Sequence, residues 1–237
     1  MAKILILESS TEVCSVALSN NEQLLGFKED TTGQNHARLL TVYIDKLLNE
    51  NKIPASEIDA VAVSKGPGSY TGLRIGVSVA KGFCYANQIP LIAVSTLEAM
   101  TLEAIRITNK SFQAEEKPRL FCPMMDARRM EVYTCLFDRN GKETEAVSAK
   151  IITNTTFRDE LQANTIVFFG NGAMKCKTEI DSPNAFFIEQ IHASATLMCN
   201  LAYESYTKKL FVDVAYFEPF YLKDFIATVP KNNVLGK

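Results

Sequence analysis

One pattern of apolar runs, met twice, constrains this chain more than any other feature. Residues 4–7, 13–18 and 24–29 read as strands, with a hairpin signal at Asn20 and Asn21. Residues 36–49 place Leu39, Leu40, Tyr43, Ile44, Leu47 and Leu48 at the i, i+3, i+4 spacing of an amphipathic helix. A strand at 60–64, a helix ending near Ala86, a strand at 91–94 and a helix from Thr96 to about Ile107 follow, giving β-β-β-α-β-α-β-α. The polar stretch 109–118 (NKSFQAEEKP) reads as a linker. The order then returns: strands at 120–125, 131–137 and 145–152, a helix at 155–162, a strand at 165–169, a short helix at 172–179, a strand at 185–188 and a helix at 194–209. This divides the chain into lobes at 1–108 and 119–237, with the helix at 194–209 able to pack back on the first lobe. The tail from Phe217 reads as irregular.

Each half carries an acidic residue after its first strand, Glu8 in one and Asp126 in the other. Two such α/β halves suggest the two-lobed actin-like (ASKHA, ribonuclease H-like) architecture. There a nucleotide commonly lies between the halves, with the acidic turns near phosphates and metal. An analogy of fold carries no function alone.

The chain has 237 residues, enough for a sizeable core, and a formal net charge of -2. That charge argues against a bulk electrostatic hold on nucleic acid but leaves room for a local basic patch. The six cysteines show no C-x-x-C spacing and read as reduced, buried thiols of a cytoplasmic protein. No run of 18 apolar residues occurs, and MAKILILE has no signal-peptide core, so neither export nor a membrane span is expected. Only two histidines, His36 and His192, are present, which excludes a His-rich metal site.

The densest motif is KGPGSYTGLRIGVSVAKG, Lys65 to Gly82, after the apolar run AVAVS. Gly66 and Gly68 allow φ > 0 on either side of Pro67, and Ser69 or Thr71 can cap the helix that follows. Such a loop suits an anion, and it equally makes an ordinary tight strand–helix turn. It matches neither the Walker A loop nor G-x-G-x-x-G. A phosphate reading would combine Glu8, Gly66, Gly68 and Ser69 with Asp126 and Arg128. Gly72, Gly76 and Ala80 lie four apart on one helix face. Since Gly costs about 1 kcal/mol against Ala in a helix, they imply close approach of another backbone, in this chain or another. Gly170-Asn171-Gly172 reads as a strand–helix turn, with nucleotide contact the alternative. Ser9, Ser10 and Thr11 have no base partner identifiable in the sequence, which argues against a hydrolase nucleophile.

At GPGSYTGLRIG, with AKG at 80–82, IPLIAVSTLEA at 89–99, ILILESSTEVCSVAL at 4–18, His36, DARRMEVY at 126–133, FFGNGA at 168–173 and EPFYL at 218–222, the chain resembles the TsaB (YeaZ) family. These bacterial proteins are required for making threonylcarbamoyladenosine in transfer RNA. The resemblance implies a non-catalytic assembly and activation subunit. Its partner would be TsaD, the metal-dependent transferase that modifies adenosine 37 of tRNAs reading codons that start with A. It would also support recruitment of the TsaE ATPase. The transferase carries an H-L-E-G-H-like metal motif, where this chain reads Thr96-Leu97-Glu98-Ala99-Met100. A hydroxyl and a thioether replace two imidazoles and are poor ligands for a hard or borderline divalent metal. The resemblance therefore implies no catalytic residue, no metal and no intrinsic cofactor, with ATP or ADP at most at a composite interface with the partner. It implies a homodimer when the partner is absent, tRNA contact only through the complex, and no membrane association. The implied subunit interface is the helix pair 36–49 and 72–86, through His36, Leu40, Ile44, Leu47, Gly72, Arg74, Gly76 and Ala80. The rival readings are an active actin-like ATPase or kinase, motivated by Glu8, Asp126 and the glycine loops, and a factor promoting proteolysis of its partner.

Overall fold

The computed structural model describes residues 1–33, 35–111 and 119–223. In the first half β1 (Lys3–Glu8), β2 (Cys14–Asn20) and β3 (Gln23–Asp30) precede α1 (His36–Asn51), β4 (Ala60–Ser64), α2 (Tyr70–Asn87), β5 (Leu91–Val94) and α3 (Thr96–Ser111). In the second, β6 (Arg119–Asp126), β7 (Glu131–Asp138) and β8 (Glu143–Ile151) precede α4 (Arg158–Ala163), β9 (Thr165–Phe169), α5 (Ala173–Cys176) and β10 (Ala185–Ile188). A 3-10 turn, Ala195–Met198, then leads into α6 (Cys199–Thr207).

The sheets run β3-β2-β1-β4-β5 and β10-β9-β6-β7-β8. Counted within its own half, each has the order 3-2-1-4-5. The first three strands are antiparallel and the last two run parallel to the first. This duplicated arrangement is the two-lobed actin-like fold. The central strands β1 and β4 are buried almost throughout, as unbroken apolar runs are when both sheet faces are covered.

Alternation along β1 sends its side chains to two different cores. Leu5 and Leu7 meet Leu40 and Leu47 of α1 and Val77 of α2. Ile4 and Ile6 meet Ala195, Met198, Cys199 and Ala202. The chain therefore returns after β10 to cover the first sheet with α6. α3 lies between the sheets, Ala99 in the first core and Leu97, Met100 and Ala104 among Phe121, Phe137 and Phe169 of the second.

Four elements differ from their sequence reading. α3 runs on to Ser111, so the polar stretch from Asn109 begins as the last turn of a helix, and residues 112–118 lie outside the described residues. α4 starts only at Arg158, because the hydroxyls of Thr153 and Thr156 close a turn with the backbone, Thr153 N donating to Thr156 Oγ1 at 2.9 Å. α5 is limited to four residues. The helix expected at 194–209 is split, since Ser194 Oγ accepts from Thr196 N at 3.3 Å and starts a 3-10 turn before α6. The expected tail is irregular over 217–223 and otherwise falls outside the described residues.

The small-residue stripe of α2 faces inward, which corrects its assignment to a subunit interface. Gly72, Gly76 and Ala80 are buried. A Cβ at Gly72 would overlap the Ser9 carbonyl oxygen, and one at Gly76 would overlap the Ser9 hydroxyl. The close backbone is the β1–β2 turn of the same chain. His36, Leu40, Ile44 and Leu47 are corrected likewise, being buried in the first core, with His36 Nε2 donating to the Val13 carbonyl at 3.2 Å. Of the eight residues only Arg74 is exposed. Periodicity marked the shared face without showing which way it points.

This packing generates a paired prediction. Gly72→Ala should lower stability by about 1–3 kcal/mol, since backbone must move to admit the methyl group. Gly82→Ala, whose Cβ would meet nothing within 4 Å, should gain up to about 1 kcal/mol of helix propensity. Urea midpoints at unchanged slope measure both. A Gly72→Ala chain as stable as its parent would contradict the intrachain packing.

Candidate functional site

The two acidic turns, the Gly66–Gly68 loop and the Gly170–Gly172 turn converge where the lobes meet. Glu8 ends β1 and is 1% exposed. Its carboxylate accepts from Ser10 N at 2.6 Å and from Thr96 Oγ1 at 3.2 Å. Burial raises its pKa, opposed by hydrogen bonds from Ser10, Ser64 and Thr96. Glu8 is thus an internal clamp between the β1 end and the start of α3, which corrects its reading as a phosphate-side acid.

The glycine loop is closed by its own chain. Ser69 N donates to the Ser10 carbonyl at 2.7 Å, and a Cβ at Gly68 would overlap that same carbonyl. Ser69 Oγ accepts from Gly72 N at 3.2 Å and caps α2. At Gly66 (φ +95) a Cβ would lie 3.2 Å from the Phe220 carbonyl oxygen, and Phe220 N donates to the Lys65 carbonyl at 2.7 Å. Gly66, Gly68 and Ser69 thus form a tight strand–helix turn packed on the β1–β2 turn and the segment near Phe220.

The second acid stands differently. Asp126 is exposed and ion-paired with Lys175 of α5, and its Oδ1 also accepts from Arg128 N at 2.9 Å. Lys175 Nζ further donates to the Arg129 and Glu131 carbonyls at 2.6 and 2.7 Å, engaging all three of its protons. Asn171 Oδ1 accepts from Asp126 N and Asn171 Nδ2 donates to Glu12 Oε2, both at 3.0 Å, tying the second-lobe turn to the first. Gly170 and Gly172 pack against the Met124 and Met125 backbone, as a tight strand–helix turn requires. Of the six residues in the phosphate reading, only Arg128 presents an unengaged charged group.

The positions corresponding to the transferase's metal motif are likewise engaged. Thr96 donates its hydroxyl to Glu8, and Met100 is buried among Phe121 and Phe169. An imidazole-binding metal does not fit this pair, and among the described residues no three His, Cys, Asp or Glu are grouped to hold one.

Sequence reasoning missed a strap formed by 210–223. Val212 N donates to the Leu91 carbonyl at 2.9 Å, beside the edge strand β5. Arg74 Nε donates to Tyr221 Oη at 3.3 Å, with the guanidinium 4.2 Å over the Tyr70 ring. Lys223 pairs with Glu131 of β7, so the strap spans both lobes. EPFYL was visible as a motif, but its partners lie more than a hundred positions away.

A family model for the tRNA N6-adenosine threonylcarbamoyltransferase, TsaD, matches residues 13–164. The tRNA threonylcarbamoyladenosine biosynthesis protein TsaB of Escherichia coli K12 is 29% identical, over 95% of this chain and 96% of that protein. The TsaB of Haemophilus influenzae is 27% identical over 93% of each. The solved structure of YeaZ from Pseudomonas aeruginosa superposes with a TM-score of 0.72 at 26% identity, covering 94% of this chain and 100% of that one. The chain belongs to the TsaB/YeaZ family. The transferase model spans well over half of this TsaB/YeaZ chain, including Thr96 and Met100, so scaffold is shared where the ligand types differ.

The buried acid makes a pH prediction. Because the folded pKa of Glu8 is raised, the native state binds this proton more tightly than the unfolded chain does. Its contribution is complete below about pH 4.3 and is lost as pH rises through the folded value. Glu8→Gln keeps an acceptor for Ser10 and a polar partner for Thr96, so its stability relative to the parent should rise steadily from pH 4 toward neutrality. Denaturation curves across that range test it, and a constant offset would contradict it.

Proposed function

We propose that this chain is a non-catalytic subunit of the machinery that makes threonylcarbamoyladenosine in tRNA, acting as the partner of a TsaD-type transferase. The observation that carries the reading is the pair Thr96 and Met100: on the transferase's scaffold, one is engaged with a buried acid and the other is packed in the core. The names of its full-length relatives supply the pathway. In this reading the chain heterodimerises with the transferase, supports recruitment of a TsaE-type ATPase, and serves modification of adenosine 37. Without the partner it forms a homodimer. ATP or ADP binds only at a composite interface, because the chain's own glycine loop is closed by Ser10. An independent ATPase or kinase is disfavoured, since Glu8 is buried and Asp126 is paired with Lys175, leaving no pair of open carboxylates for magnesium.

The contact surface we assign is the outward face of α2, Thr71, Arg74, Ser78, Gly82 and Tyr85, which has no acidic residue. Arg74 is its best-positioned group, held by Tyr70 and Tyr221 and far from the core. Arg74→Glu should weaken association with the transferase by at least about tenfold while leaving the melting temperature nearly unchanged, as size-exclusion chromatography with light scattering and thermal denaturation would read.

The test of function is reconstitution with transferase, ATPase, threonylcarbamoyl donor and tRNA, followed by nucleoside mass spectrometry. Omitting this chain should abolish most modification, and this chain with donor and tRNA alone should give none. Full modification without it, or modification by it alone, would overturn the reading.

A further inference from the structure

We propose that the turn between β6 and β7 contacts the phosphate backbone of an RNA through the guanidinium groups of Arg128 and Arg129. The first observation is backbone conformation. Arg128 and Arg129 have φ of 69° and 48°, in the left-handed region that bulky side chains rarely occupy. The other non-glycine residues with positive φ occur singly among the described residues and have local reasons. Lys52 and Gln88 terminate helices, Asn21 turns the β2–β3 hairpin, Phe157 precedes α4 and Lys209 follows α6. Only here do two follow each other, at positions where asparagine and glycine would relieve the strain.

The second observation is bracing. Lys175 donates to Asp126 Oδ1 and to the Arg129 and Glu131 carbonyls, and Asn171 accepts from Asp126 N. The strained turn is held from several sides, the condition under which such strain persists.

The third is unsatisfied charge. Both side chains are exposed, and neither guanidinium forms a hydrogen bond or ion pair among the described residues. The acids around the turn are already engaged, Asp126 by Lys175, Glu131 by Lys223 and Glu12 by Asn171. Two planar donor forks on one turn are therefore exposed and unpaired among the described residues, suited to bidentate phosphate contact.

Exposure selects the source of the phosphate. Both arginines of the turn are exposed to solvent. A free nucleotide needs a concave site, whereas backbone phosphates are met by exposed arginines that set register and orientation. With a net charge of -2 the chain as a whole does not attract polyanions, so the contact is local and positions the RNA. The choice of RNA rests on the tRNA reading proposed above.

The test compares the full chain with Arg128→Ala/Arg129→Ala and Arg128→Asn/Arg129→Gly. Fluorescence anisotropy with labelled tRNA is read across a salt series starting at low ionic strength. The parent should bind weakly. Both variants should lose about fivefold or more, and the slope of log affinity against log salt should shrink by about one to two. Arg128→Asn/Arg129→Gly should also melt at a higher temperature, the opposite of what removing a structural element gives. Three results would overturn the proposal: no tRNA binding by the parent at the lowest salt, binding unchanged in both variants, or displacement of tRNA by millimolar ATP, which would assign the turn to a nucleotide. The assay needs no transferase. A chain that fails it yet still assembles with the transferase loses only this inference, while loss of assembly counts against the proposed function.

Discussion

The hydrogen bond from Ser69 N to the Ser10 carbonyl joins the β1–β2 turn to the start of α2, and much of the structure follows from that closeness. It brings backbone against backbone, which requires Gly68 and Gly72 and leaves room at Gly76 only for the Ser9 side chain. It seats the helix so that Val77 and Ala80 cover the first sheet beside α1. A single close approach thus organises the first lobe.

The halves share a topology yet have diverged in chemistry at equivalent turns. Glu8 and Asp126 end the first strand of each repeat, but one is buried among neutral donors and the other is exposed against a lysine. Contacts between the halves are spread widely: Asn171 on Glu12, His192 on Glu29, Ala195 N on Ser15 Oγ, Arg74 on Tyr221, and α3 between both cores. Such distributed coupling ties the two lobes together at several separate points.

The element order and the duplicated fold were legible, because apolar strands and amphipathic helices differ in period. Helix boundaries failed where hydroxyls compete with the backbone, as at Thr153, Thr156 and Ser194. The site was less legible. Spacing grouped Gly72, Gly76 and Ala80 on one face, but the direction of that face depends on a turn sixty residues upstream. The glycine loop was compatible with an anion and with a tight turn, and only the position of Ser10 decides between them. The conformation of Arg128 and Arg129 left no mark in their identity, since arginine is not a residue a left-handed turn selects. Lys175, which holds that turn, was indistinguishable from any surface lysine.

The most direct measurement is a calorimetric titration of the isolated chain with magnesium ATP. If the Ser10–Ser69 contact closes the first-lobe seat and function passes through a partner, no saturable heat should appear into the millimolar range. A one-to-one isotherm of micromolar affinity, lost when Gly68 or Ser69 is replaced in a chain that still folds, would contradict the account. It would return this protein to the nucleotide-using branch of its fold.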